Sequence, residues 1–313
     1  MPGEFISVED VAVLAKIETT YGTDAVPGAA TDGLLTNGFT IRPLEAGQAD
    51  RALDRPGFGA DPALLVGSHV QTSFNIEVAG AGAAGDVPAY GQLLRMCGFA
   101  ETNTPATDTV YDPVSSGFES GTLHAFLKDQ KYALTGFRAA CGVTLSAQDV
   151  PRFNFNGLGL FNAPADGAAP SPDFSAYADP VPVEDAHTEF QLGGVDLPMV
   201  SLTIQPGQNV IYENIVNQEC VAINGRSYSG SLSVKMDELL ATFDPVALAR
   251  AGTLQSLNLI HGKVAGNIVE ISAPAVQLGA PTTGNRNGDR TWEIPLTFTV
   301  TDAVDDDIQF AIR

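Results

Sequence analysis

Residues 64–78 read LLVGSHVQTSFNIEV, and residues 222–236 read AINGRSYSGSLSVKM. In an extended chain the first stretch puts Val70, Thr72, Phe74, Ile76 and Val78 on one side and Gln71, Ser73, Asn75 and Glu77 on the other. The second repeats this at a constant offset of 158, with Tyr228, Gly230, Leu232, Val234 and Met236 on the apolar side. Ser229, Ser231, Ser233 and Lys235 stand opposite. A period of two held over this length marks a strand with one buried face. Its recurrence predicts a mainly β chain built from a divergent repeat.

The correspondence extends outward in order. FTIRP at 39–43 matches LTIQP at 202–206, offset 163. A short helix is predicted after each strand, VPAYGQLLRMCG beginning near Pro88 and DPVALARAG near Pro245, each ending on glycine. GTL recurs at Gly121 and Gly252, polar hinges follow at Asp129-Gln130 and His261-Gly262, and alternating strands close each unit from Arg152 and from Thr291. The expected organisation is an N-terminal arm over 1–36, a first β domain over 37–162, a Pro/Ala-rich linker over 163–199 and a second β domain over 200–313. Within the arm SVEDVAVLAKIE reads as a short helix, and the rest needs a surface to lie against. Asn224-Gly225 and Asn287-Gly288 read as hairpin tips, and 45–66 as a loop too long for an internal hairpin.

Composition agrees with a turn-rich β protein: Gly 32, Pro 20 and only 17% charged residues. The net charge of −21 repels phosphate and leaves no basic stripe for specific nucleic-acid binding, while suiting a surface that DNA must pass without sticking. Cys97, Cys141 and Cys220 are scattered, which excludes a disulfide framework or zinc spacing and predicts buried thiols in a reducing cytoplasm. The chain opens without a lysine-rich leader, and no apolar run approaches the roughly 18 residues of a membrane span.

Catalytic signals are decoys. Gly80-Ala-Gly82-Ala-Ala-Gly85 spells GxGxxG, yet the preceding strand is half polar where a dinucleotide-binding strand is buried on both faces. His69, His124, His187 and His261 are isolated from one another and from the cysteines. Asp305-Asp306-Asp307 lacks the spacing of a calcium loop and reads as a solvated turn. Trp292 is expected in core or interface. No catalytic, cofactor or metal residue is assigned.

Several stretches together resemble one family: KIETTYGTDAVP, a polar excursion containing RPGFG, GSHVQTSFNIEVAGAG, PAYGQLLRMCGF, and LHAFLKDQKYALTGFRAACGVTLSAQDVPRFNFNGLGLF. They are similar to the major tail tube proteins of long-tailed, siphovirus-type bacteriophages. The resemblance covers the first half well and implies a β-sandwich or partial barrel with one flanking short helix, whose hairpins join those of neighbours in a closed inner barrel; with the repeat, the chain is expected to carry two such duplicated domains. The resemblance also implies self-assembly into rings of six tube domains, made by three chains if each carries two and by six if each carries one. Rings would stack head to tail as the conduit for genome ejection, assembled in the host cytoplasm with tail terminator, tail tip and tape-measure proteins. DNA would pass through the lumen without specific binding, and no membrane or cofactor is involved. Lumen-facing candidates are Gln71, Ser73, Asn75, Glu77, Ser229, Ser231 and Ser233, with Lys235 a departure from an acidic wall; the same faces serve equally well against bulk solvent. Arg51, Asp54, Arg55, Phe58 and Asp61 are the candidate inter-ring loop, together with the arm. The competing readings are another virion β-sandwich protein, such as a tail tip, decoration or adhesin subunit, and an all-β hydrolase or carbohydrate-binding domain. A contractile-tail relative would share the tube fold.

Overall fold

The computed structural model describes residues 6–313 apart from 8, 55 and 239. The first half runs β1 (Val11–Ile17), β2 (Gly33–Leu34), β3 (Asn37–Ala49), β4 (Leu64–Glu77), α1 (Gly91–Met96), β5 (Phe99–Thr104), β6 (Asp108–Pro113), β7 (Gly121–Leu127), β8 (Gln130–Ser146) and β9 (Arg152–Leu160). The second runs β10 (Ala165–Asp166), β11 (Thr188–Leu192), β12 (Val195–Asp196), β13 (Met199–Ile204), β14 (Gln208–Ile215), β15 (Gln218–Arg226), β16 (Ser229–Lys235), α2 (Pro245–Ala251), β17 (Gln255–His261), β18 (Val269–Leu278), β19 (Thr282–Arg286), β20 (Asp289–Phe298) and β21 (Gln309–Ile312).

Every pairing is antiparallel, and one strand order occurs twice. The first half is ordered β3-β4-β9-β8-β7-β1. The second is ordered β13-β16-β20-β18-β17-β11. After a bend at 279–281, β19 takes over from β18 beside β20. Register repeats as well as order. Thr40 faces Ser73 as Thr203 faces Ser231, and Ile76 faces Phe153 as Val234 faces Trp292. The offsets read from the sequence are therefore physical registers. A one-residue slip would have turned each apolar row to the wrong face.

The halves share one ladder and one core. β8 pairs with β13 from Ser146 opposite Ser201 to Val143 opposite Ile204, which makes a single curled sheet. Beneath its apolar face Phe74, Phe153 and Phe155 pack ring against ring. Phe310 of β21 meets Phe153 edge-on at 5.5 Å, and β21 pairs with both β18 and β6, so the chain's end stitches the second half to the first. Fully burying each such ring contributes about 1.5–3 kcal/mol. α2 starts as its sequence demands: Pro245 opens it, the Asp244 side chain accepts the Ala247 N–H at 2.9 Å, and Gly252 closes it at φ 63°.

Five local expectations are corrected. SVEDVAVLAKIE is not a helix: its Val11–Ile17 part is β1, zipped along the whole of β7, with Val13, Leu14 and Ala15 all buried. Three consecutive buried residues suit a strand covered on both faces, so from β1 onward the arm lies on its own chain. Asn224-Gly225 lies inside β15, and that hairpin turns at Val216-Asn217, where Asn217 has φ 66°. Asn287-Gly288, by contrast, is the β19–β20 tip, with the paired positive φ of 54° and 94° that a two-residue turn of this hand needs. The GTL match is accidental: Gly121 opens β7, whereas Gly252 caps α2. The stretch 45–66 does belong to an internal hairpin: β3 and β4 pair out to Ala49 opposite Leu64, which leaves 50–63 as its loop. The stretch read as linker holds β10, β11 and β12, and β11 pairs along β17.

Candidate functional site

The sheet face opposite the core carries hydroxyls, amides and paired charges. On it the Thr40 and Ser73 hydroxyls lie 2.7 Å apart, and Asn154 donates to Asn75 at 3.1 Å and meets Thr144 at 2.9 Å. In the second half Ser233 and Thr291 both donate to Glu293 at 2.7 Å. This row arises from the alternation itself, since every residue between two core residues must face the other way.

Three cations on this face are neutralised locally. Arg42 lies 3.6 Å from Glu45, Arg152 3.3 Å from Asp149 and Lys235 2.6 Å from Asp289. The Asp149 carboxyl is held below its ordinary range by the Val150 N–H and then by Arg152, and Asp289 by its bond from Lys235. Arg138 spends its guanidinium on the carbonyls of Phe118, Glu119 and Val221, the last belonging to β15. Lys235, the departure from an acidic wall, is thus half of an ion pair.

Of the sequence-derived candidates, Gln71, Ser73, Asn75 and Glu77 stand half-buried on β4, and Ser229 and Ser231 exposed on β16. Ser233 is buried against Glu293. Arg51, Asp54 and Phe58 are exposed in the loop between β3 and β4, and Asp61 accepts the Leu53 N–H at 3.0 Å. Arg55 lies outside the described residues.

The decoys resolve into packing. The Gly80 N–H goes to Asn267 Oδ1 at 2.7 Å and the Gly82 N–H to the Gly266 carbonyl at 2.8 Å, so the donors a pyrophosphate would need are taken. His124 is buried with Nε2 3.0 Å from both Asp24 oxygens, and burial pushes its pKa down against the pull of that carboxylate. His261 contacts the Thr188 hydroxyl at 2.9 Å and the Val181 carbonyl at 3.1 Å, and burial lowers it too. His69 stacks on Tyr212 of β14. Among the described residues no group of three or more His, Cys, Asp or Glu is arranged to hold a metal.

The acid triplet is not a solvated turn. Asp307 is buried at 4% exposure and takes the Arg226 Nε at 2.8 Å, Asp305 takes Nη2 at 2.9 Å, and the Val114 carbonyl takes Nη1 at 2.9 Å. Burial works against the guanidinium, but the two carboxylates outweigh it and keep it charged. This anchor joins the base of the β14–β15 hairpin to both halves. No short-range pattern reveals it, because Arg226 and Asp307 are 81 residues apart.

Among curated proteins nothing matches the chain. A family model described as phage tail tube protein matches residues 9–300.

Proposed function

The chain belongs to the phage tail tube protein family, and from that premise we propose that three copies close into a ring of six like modules, stacked head to tail as the tube of a long, non-contractile tail. Its role is structural, in the virion tail. We read residues 37–162 and 200–313 as the bodies of the two modules, with β1 from before the first and β11 from the 163–199 stretch completing their sheets. The observation that carries this is the repeated strand order with repeated register, joined inside the chain by the β8–β13 ladder. A chain that already joins module to module through strand edges has the means to join chain to chain.

In this reading the hydroxyl and amide face lines the lumen, with Gln71, Ser73, Asn75, Glu77, Ser229, Ser231 and Ser233 among its residues. DNA phosphates passing there meet cations that are already paired, so counterion release, the usual source of affinity, has little to draw on. The ring's formal charge is three times −21, or −63. Since β1 is held in the sheet, we assign stacking to the loop between β3 and β4, where Leu53 and Phe58 are exposed in the single chain. Stacking is a heterologous contact, which propagates instead of closing. Assembly in the host cytoplasm against terminator, tip and tape-measure proteins follows from the same reading.

Negative-stain microscopy of the concentrated protein tests it. Stacked rings with an open bore are expected, and monodisperse globules at all concentrations would sink it. Deleting residues 50–62 should leave a folded chain that no longer stacks; full-length tubes from that variant would remove the loop from its assigned role.

A further inference from the structure

Resting on that reading, we infer the residue-level joint between neighbouring chains: the outer edge of β3 in one copy zips antiparallel onto β19 of the next. Gly38, Phe39, Thr40 and Ile41 stand opposite Arg286, Asn285, Gly284 and Thr283 in that order.

The template is the joint inside the chain. There β13 lies along β8, with Leu202 opposite Leu145 and Ile204 opposite Val143. β13 corresponds to β3 by the offset of 163, so Leu202 and Ile204 correspond to Phe39 and Ile41. β8 corresponds to β19 through the strands between them. Ile76 faces Phe153, which faces Val143; Val234 faces Trp292, which faces Thr283. Transferring the internal joint by these equivalences yields the four pairs above. Among the described residues β3 pairs only with β4, and β19 only with β20, so both edges are open.

The polar groups point the right way. On β8 the Cys141 N–H is accepted by Gln208 Oε1 at 2.9 Å, on the side where β13 lies, so alternate residues Val143 and Leu145 aim their groups at β13. On β13 the Gln205 N–H goes to the Ser229 carbonyl, toward β16, which leaves Leu202 and Ile204 aimed at β8. On β19 the two-residue turn at Asn287-Gly288 makes Arg286 and Asp289 the bonded pair, so Gly284 also bonds inward and Thr283 and Asn285 point out. Donors and acceptors of Phe39 and Ile41 therefore meet those of Asn285 and Thr283. The joint ends at Thr282: its counterpart Gly142 sits where a Cβ would lie 2.6 Å from the Ile204 carbonyl, so a threonine there parts the strands.

The test is cysteine cross-linking in assembled tubes. Bonded antiparallel partners have Cα atoms about 5.5 Å apart, inside the disulfide range, whereas a two-residue diagonal lies at about 7–8 Å, outside it. Ile41→Cys with Thr283→Cys in the same chain should, after mild oxidation, give a ladder ending at a closed ring. Each single variant, and Ile41→Cys with Asn285→Cys, should give little or none. If wild-type tubes form but the in-register pair stays monomeric on denaturing gels, the joint is wrong and the tube reading survives. If the wild-type protein never forms rings, both fall. Thr283→Pro is the second arm, removing one outward N–H while sparing the ladder to β20. It should melt within about 2 °C of wild type and lose its tubes; normal tubes from it overturn the joint whatever the cysteines do.

Discussion

Replacing Gly80 by alanine decides whether the GxGxxG segment serves packing or ligand. A Cβ on Gly80 would sit 2.2 Å from the Gly266 carbonyl oxygen and 2.5 Å from Asn267 Cα, both backbone atoms with no rotamer to retreat into. The two segments must part by roughly 1 Å to restore ordinary contact, and separation on that scale breaks the bonds that hold them, Gly80 N–H to Asn267 and Gly82 N–H to Gly266. At about 1 kcal/mol for each bond and about 1–3 kcal/mol for overpacking, the loss is about 3–5 kcal/mol. At about 1.5 °C per kcal/mol, from an unfolding entropy of about 2.1 cal/mol/K per residue, the melting temperature falls by about 5–8 °C. Gly59→Ala is the control, since a Cβ there would meet no atom within 4 Å and its φ is not positive; it should stay within about 0.5 kcal/mol of wild type. Circular dichroism of the unassembled protomer reads both. Equal melting of the two variants, or a rise in wild-type melting on adding a dinucleotide, would refute the packing account.

Arg226→Met should cost about 3–5 kcal/mol, because it leaves the Asp307 carboxylate buried without its cation, and Arg226→Lys should recover part of this; urea midpoints measure both. His124 and His261 are held below their ordinary pKa, so the unfolded chain takes up protons first as pH falls. Their share of stability is intact above about pH 6.5 and shrinks below it. Melting should therefore drop between about pH 7.5 and pH 5, with a flatter profile in the His124→Gln, His261→Gln double variant; an unchanged slope would exclude these groups. Ser73→Arg with Ser231→Arg adds two unpaired cations per chain to the proposed lumen. Tubes of this variant should retain short duplex DNA at low salt and release it steeply as salt rises; indifference to DNA would place that face outside the bore.

The alternation at 64–78 and 222–236 made the repeat legible because each strand is buried on one side only, so face and register are written in the local pattern. Where that pattern is missing or a turn dipeptide misleads, the reading fails. VAVLA in β1 is covered on both sides and carries no alternation, which leaves strand and helix indistinguishable. The β14–β15 hairpin hid because Asn224-Gly225 resembles a turn, while the real turn, Val216-Asn217, relies on asparagine to take a positive φ. The candidate lumen face was legible as polarity but not as pairing, since Lys235 and Asp289 meet only once β16 and β20 are neighbours. Contacts spanning many residues, such as Arg226 with Asp307, leave no trace in a window the length of a strand.

The charge of the chain and the charge of the face are different quantities, and a conduit needs both. At physiological salt an exposed charge is screened beyond about 8 Å. The ion pairs on the polar face are separated by 2.6–3.6 Å, so if that face lines the bore, as proposed, each presents a dipole and not a cation to a passing phosphate. Pairing thus removes short-range attraction site by site, while the surplus of acids over the whole molecule sets only a weak, screened repulsion at longer range. An acid-lined wall would have repelled DNA more strongly but would also have gathered cations able to bridge it to phosphate. The proposed wall of hydroxyls, amides and paired charges avoids both extremes. It therefore matters less how many acids the chain carries than that Arg42, Arg152 and Lys235 each find a carboxylate close by, while Arg138 turns its guanidinium onto backbone carbonyls.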